Sequence, residues 1–229
     1  MLVNGVFVRQ AGAILAKDLK TEWRAREVFT SMFVFTVLVV VVFQFTIGSN
    51  PALIREVAAG VLWVALLFAT VIGLQRAVQM EGEEDCLQGV LLAVQDRSAL
   101  FLAKALANMI YLLVVSGCIL PLFALWFRVD LTASLSALGV VLVLGIVGLS
   151  VLGTLFSLIV LNIRMREVML PLLFLPVSVP LLIAAVYATG DLIDGKTLAD
   201  IRDYMILMGV FDVVFLVLAL LIFDYVVEE

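Results

Sequence analysis

Apolar residues run almost unbroken through six stretches of the chain, at about 28–47, 57–74, 99–127, 131–161, 168–189 and 204–227, with polar residues gathered between them. A bilayer core of about 30 Å needs roughly 20 apolar residues at a rise of about 1.5 Å each. All six stretches are long enough. Backbone polar groups must be satisfied inside lipid, so each is expected as a helix. The third and fourth stretches exceed one perpendicular crossing; they must tilt, extend past the bilayer or begin as helix outside it.

Residues 1–27 carry a different pattern. At 100° per residue, Val8, Ala11, Leu15, Leu19 and Trp23 fall within about 120° of arc, with Arg9, Lys17, Lys20 and Arg24 on the other side. This predicts an amphipathic helix lying along the membrane surface, either a plain basic anchor or a lever that feels a cytoplasmic partner. Glu22 and Arg26 interrupt its apolar arc. A second amphipathic segment lies between spans two and three, where Leu87, Val90, Leu91 and Val94 recur at helical spacing behind Glu83, Glu84 and Asp85. Acids suit a helix N-terminus. Such a helix over 81–95 could dock into a groove on a partner or simply lie on the surface. The fold class is therefore all-α: a six-span membrane domain over 28–227, an interfacial helix at 1–27, a loop helix at 81–95, and a short extracytoplasmic helical segment between spans five and six.

Composition supports this architecture. Of 229 residues 65% are hydrophobic and 14% charged, against roughly 45–50% and 25% in soluble domains. One small globular core cannot hide that excess, which excludes soluble enzymes and nucleic-acid-binding modules. The net charge of −5 is spread over short loops and carries little meaning. Lys and Arg decide the orientation. Arg9, Lys17, Lys20, Arg24, Arg26, Arg76, Arg97, Arg164 and Arg166 fall on one side, and Arg55, Arg128, Lys196 and Arg202 on the other, with Lys104 opening span three on the first side. The positive-inside rule places both termini in the cytoplasm. Residues 1–27 lack the apolar run and small-residue site of a cleavable signal, so the protein is expected to stay in the membrane.

Side-chain chemistry is sparse. Without histidine the chain cannot build a zinc site, a histidine proton relay or a histidine-ligated haem from its own side chains. Cys86 and Cys118 are expected on opposite sides of the membrane boundary, as two free thiols. Gly190-Asp191-Leu192-Ile193-Asp194-Gly195-Lys196-Thr197 fits the phosphate-binding pattern G-x4-G-K-[ST]. It follows a transmembrane helix rather than a strand, lies on the extracytoplasmic side and carries two acids that repel phosphate. A chance match in a turn is the better reading, and any ATPase belongs to another chain. Within the spans, Lys104 and Asn108 share a helix face near the start of span three, and Asp212 lies deep in span six. A charge at mid-bilayer costs at least about 2.5–3.5 kcal/mol, which makes intramembrane charges functional candidates. Lys104 lies close enough to an interface to snorkel, and only Asp212 looks expensive. Pro171, Pro176 and Pro180 should kink or break span five. Gly139, Gly145, Gly148, Ser150 and Gly153 should let neighbours approach span four closely.

Three segments carry a family likeness: Gly60-Val61-Leu62-Trp63-Val64-Ala65, Leu102-Ala103-Lys104, and Leu175-Pro176-Val177-Ser178-Val179-Pro180-Leu181-Leu182-Ile183. With six spans and this length, the chain resembles the B-type haem exporter permeases of the cytochrome c maturation system, which are ABC transporter membrane subunits, from about residue 15 to 190. Departures are Gln75-Arg76 for the family's Glu-Arg, Asp85 and Gln88 for a glycine and a glutamate, and Ala93-Val94-Gln95-Asp96 for a proline-rich stretch. The resemblance implies a non-catalytic permease that pairs with itself and with two copies of a separate ATP-binding subunit. It also implies a haem-handling membrane subunit, a small membrane subunit and an extracytoplasmic haem chaperone as partners. Residues 1–27 become a connecting helix. Glu83, Glu84, Asp85, Leu87, Gln88, Val90, Leu91 and Val94 become the coupling segment that sits on the ATPase. Trp63, Lys104, Asn108, Pro176, Pro180 and Asp212 become candidates for transport or subunit contact. No cofactor is assigned to this chain: ATP sits on the partner, and haem is cargo of the complex, released on its chaperone or passed through the membrane. A stand-alone secondary transporter or lipid flippase, with Asp212 as its coupling residue, is the alternative. An intramembrane enzyme lacks a plausible set of groups.

Overall fold

The structure, a computed structural model, describes residues 2–48, 51–83, 97–128, 135–160, 163 and 165–226. Seven helices run through them: α1 (Leu2–Ala25), α2 (Glu27–Ile47), α3 (Pro51–Glu83), α4 (Arg97–Phe127), α5 (Leu135–Val160), α6 (Arg166–Ile193) and α7 (Arg202–Val226). The last six are long and apolar enough to cross a membrane. The all-α, six-span expectation holds.

Burial separates the helices by role. Most of α3 and α5 is covered, whereas only about a fifth of α2 and α7 is buried. α3 packs on α2, α4, α5 and α6, and α5 on α3, α4, α6 and α7, so these two form the centre. The outward residues are apolar at helical spacing, with Val34, Leu38 and Val42 on α2 and Val210, Val213, Val217 and Leu221 on α7. Such stripes suit contact with hydrocarbon chains. Gly145, Gly148 and Gly153 make the centre tight: a side chain at these positions would strike Trp63, Asp212 with Leu181, and Leu74 respectively. Gly139 faces open space and has no such role.

α1 packs on the start of α4, with Ala11 against Ala99 and Ala103. Arg9, Lys17, Lys20 and Arg24 are exposed, as the arc predicted. The two residues that broke the arc make the joint to α2. Arg26 takes a left-handed conformation, φ 58°, and offers no side-chain cap to the helix that follows. Glu22 caps it instead, accepting the Phe29 N–H on its Oε1 at 2.9 Å while buried. Replacing Glu22 with alanine leaves that N–H unpaired and should cost about 1 kcal/mol. Glu22→Gln keeps an acceptor oxygen and should cost less, which thermal unfolding in detergent would resolve.

Three sequence expectations need correction. Span two, expected over 57–74, is part of α3, which continues to Glu83, so residues 75–83, expected as loop, are helical. The helix persists because Leu74 and Val78 extend its buried stripe by another turn, while Arg76 points outward. Residues 81–83, expected as the start of the loop helix, therefore belong to α3. Pro171, Pro176 and Pro180 do not break span five, since α6 is one continuous helix. Each proline frees one carbonyl, those of Glu167, Leu172 and Pro176, and a well-packed membrane helix tolerates such gaps where neighbours supply donors. The helical segment expected between spans five and six is also absent. α6 runs on to Ile193, and residues 194–201 hold two turns and no helix. Gly195, at φ 87°, ends the helix in a Schellman motif, with Lys196 N–H on the Asp191 carbonyl at 2.9 Å and Gly195 N–H on that of Leu192 at 3.2 Å.

Candidate functional site

α5 contributes the surface on which the candidate residues meet. An ordinary side chain at position 145 would occupy the volume taken by the Trp63 ring of α3. That ring is fully buried, and its Nε1–H donates to Thr189 Oγ1 of α6 at 2.9 Å. A buried indole N–H left unpaired would cost about 1–3 kcal/mol, so Thr189 fixes the ring and ties three helices together. One turn along α5, Gly148 admits the Asp212 side chain from α7 beside Leu181 of α6. Asp212 is buried, and its Oδ1 has no hydrogen-bond partner among the described residues. Trp63 and Asp212 thus share one glycine-lined stretch of α5.

Lys104 and Asn108 belong to a second locus. Lys104 Nζ lies 3.8 Å from Asp18 Oδ2 of α1, a loose ion pair. The Tyr111 hydroxyl, further along the helix, donates to the Asp18 carbonyl at 3.2 Å. Asn108 is buried, with Nδ2 unpaired among the described residues. This locus joins α1 to α4. Pro176 and Pro180 lie on the exposed side of α6, apart from both. Glu83 is described as the last residue of α3, while Glu84, Asp85, Leu87, Gln88, Val90, Leu91 and Val94 lie outside the described residues. Cys118 is an exposed free thiol on α4, and Cys86 lies outside the described residues.

Two anchors carry no clear mark in the sequence pattern. Thr189 gives no signal, being one hydroxyl among many. Gln75 and Gln79 of α3 fall where polarity predicts loop. They donate to the Glu167 carbonyl at 2.9 Å and to its Oε1 at 3.0 Å. The available signal is Pro171, which leaves that carbonyl without its helical donor.

The phosphate-loop match has a structural explanation. Gly195 and Lys196 direct their N–H groups back into the end of α6. The Lys196 ammonium pairs with Asp191 at 2.9 Å, which raises its pKa, chiefly through that hydrogen bond. Thr197 donates both N–H and hydroxyl to Asp200 Oδ2 at 2.8 Å, holding the Asp200 carboxyl below its usual range. The pattern caps a helix C-terminus. Among the described residues no group of three or more His, Cys, Asp or Glu is placed to hold a metal.

What these loci can do is mechanical: they hold helices in fixed relation at both ends of the bundle. The chain is 33% identical over 171 residues to Heme exporter protein B of Rhodobacter capsulatus, covering 75% of this chain and 78% of that one. It is 26% identical over 170 residues to Heme exporter protein B of Pseudomonas aeruginosa, covering 74% and 76%. With Heme exporter protein B of Haemophilus influenzae it shares 27% over 172 residues, 75% and 77% of the two chains. Residues 9–228, from within α1 to beyond the end of α7, match the family described as CcmB protein, and the chain belongs to that family.

Proposed function

We propose that this chain is a membrane subunit, the permease, of a haem-exporting ABC complex serving cytochrome c maturation, with ATP hydrolysed on a separate partner. The family match along residues 9–228 carries this reading, since it spans the whole six-helix bundle and its relatives bear the name Heme exporter protein B. In the proposed orientation both termini are cytoplasmic, following the excess of Lys and Arg at the end of the bundle that holds α1. Residues 84–96 then lie on the cytoplasmic side between α3 and α4 and seat on the ATPase. α1 is the connecting helix, held to α4 through Asp18 and to α2 through Glu22. A second copy of the chain completes the membrane unit. A haem-handling membrane subunit, a small membrane subunit and an extracytoplasmic haem chaperone complete the complex. Histidine ligation of haem falls to other chains, because this one has no histidine. The work of this subunit is to convert nucleotide-driven movement into release or passage of haem.

Removing the chain from its host and staining membranes for covalent haem tests the reading. Loss of c-type cytochromes with other haem proteins preserved, restored by the full chain in trans, is the expected result. Unaltered c-type cytochromes would overturn it. A second reading draws on Asp212, whose buried carboxyl oxygen has no partner among the described residues: a self-contained secondary transporter or flippase. It requires activity in liposomes without an ATPase, lost in Asp212→Asn.

A further inference from the structure

α3 ends at Glu83 and α4 opens at Arg97, so anything seated on residues 84–96 acts directly on the last turns of α3 and the first of α4. The turns of α3 are tied down. The Gln75 amide donates to the Glu167 carbonyl at 2.9 Å, and the Gln79 amide to the Glu167 carboxylate at 3.0 Å. Gln75 and Gln79 are four residues apart and so share one face of α3. Both reach a single residue at the start of α6. The first bond is possible because Pro171 stands four residues after Glu167: proline has no N–H, and the carbonyl lacks its helical donor. The Gln75 amide supplies an N–H to that carbonyl, which a carboxylate at position 75 could not do.

The same two helices are joined again toward the opposite end, where Trp63 in the first half of α3 donates to Thr189 near the end of α6. α3 and α6 are thus antiparallel and fastened at two levels, with Leu74 and Phe174 buried in the common core between the ties. A pair fastened only at the Trp63 end would let the last turns of α3 swing without moving α6. Fastened at both levels, the pair shifts as one body, the kind of discrete rearrangement that carries movement across a packed bundle.

We propose that Gln75, Gln79 and Glu167 form a latch that makes α3 and α6 a single transmission element, passing movement of the 84–96 segment to the Trp63–Thr189 end of the bundle. The direction of the transmission rests on the reading of 84–96 as the seat of the ATPase. The latch itself rests on the two hydrogen bonds and the freed carbonyl.

The test uses the full chain in membranes with its partners, in a Cys86→Ser, Cys118→Ser background. Spin labels attached at Arg76→Cys on α3 and Val168→Cys on α6, both exposed positions, report the separation of the two helices. The native glutamines should give one narrow distance distribution, and Gln75→Ala with Gln79→Ala a broadened one. That double variant should still insert and still retain the ATPase subunit, yet form about fivefold less c-type cytochrome, the low end of a typical coupling between sites. Glu167→Gln keeps the backbone carbonyl and an amide oxygen for Gln79, and should stay close to native in both measurements. An unchanged distance distribution in the double alanine variant overturns the latch. A broadened distribution with full cytochrome yield overturns its role in transmission. If the native chain itself supports no cytochrome formation, the functional reading fails, and the label distances still decide whether the tie holds the helices together.

Discussion

Gly145→Val should destabilise the bundle more than any surface change, by about 3 kcal/mol or more. Cores pay roughly 1–3 kcal/mol for added methyl groups when neighbours can shift. Here the neighbour is a fully buried indole held by Thr189, and a Cβ at position 145 would already overlap it. Moving the ring would also leave its N–H unpaired in an apolar core. Trp63→Ala should cost a comparable amount, about 3–5 kcal/mol, through the cavity it leaves. The two losses should not add. In the double variant the valine enters the space the indole vacated, and a coupling of about 1 kcal/mol or more is expected between residues in contact. Unfolding in detergent and the steady-state membrane level of each variant measure this. Simple additivity would show that Trp63 does not sit on Gly145.

The largest functional effect should come from the segment between α3 and α4. Replacing Leu87, Val90, Leu91 and Val94 together with serine should abolish retention of the ATPase subunit while the chain remains inserted with its helices intact. Burying one aliphatic side chain contributes about 1.5–3 kcal/mol. Losing four such anchors exceeds the roughly 4 kcal/mol that separates a micromolar from a millimolar complex. Pull-down from solubilised membranes, with circular dichroism to confirm helix content, checks the expectation. Undiminished retention would remove this segment from the interface.

The architecture was legible in the sequence because the bilayer imposes it. Roughly 20 apolar residues in a row can do little else than span as a helix, and all six spans stand out on that ground. The glycines of α5 were legible for a related reason: small residues on a buried membrane helix let neighbours approach, and Gly145, Gly148 and Gly153 do so. Helix ends were harder. Polar residues at 75–79 look like the start of a loop, yet Leu74 and Val78 keep their buried face and the helix continues to Glu83. Periodicity there outweighs polarity. Prolines mislead in the opposite sense, since the loss of one N–H in α6 is answered by Gln75 from another helix, a donor that local sequence cannot reveal. The bond between Trp63 and Thr189 spans 126 residues of chain. The tryptophan stands out through family likeness; its partner does not. Glu22 and Arg26 look like faults in an amphipathic pattern and are the cap and the left-handed joint between α1 and α2. Within that pattern, a misplaced polar residue is the sign of a joint.

The central claim is that this chain works as one membrane subunit of an ATP-driven complex. Affinity purification of the native chain from its own membranes in mild detergent tests it most directly, with co-purifying chains identified by mass spectrometry and the eluate read for haem absorbance. A roughly stoichiometric ATP-binding subunit together with haem-handling membrane chains is the predicted outcome. Recovery of this chain without any ATP-binding subunit, across several detergents, would contradict the claim and leave Asp212 and self-contained transport as the reading to pursue.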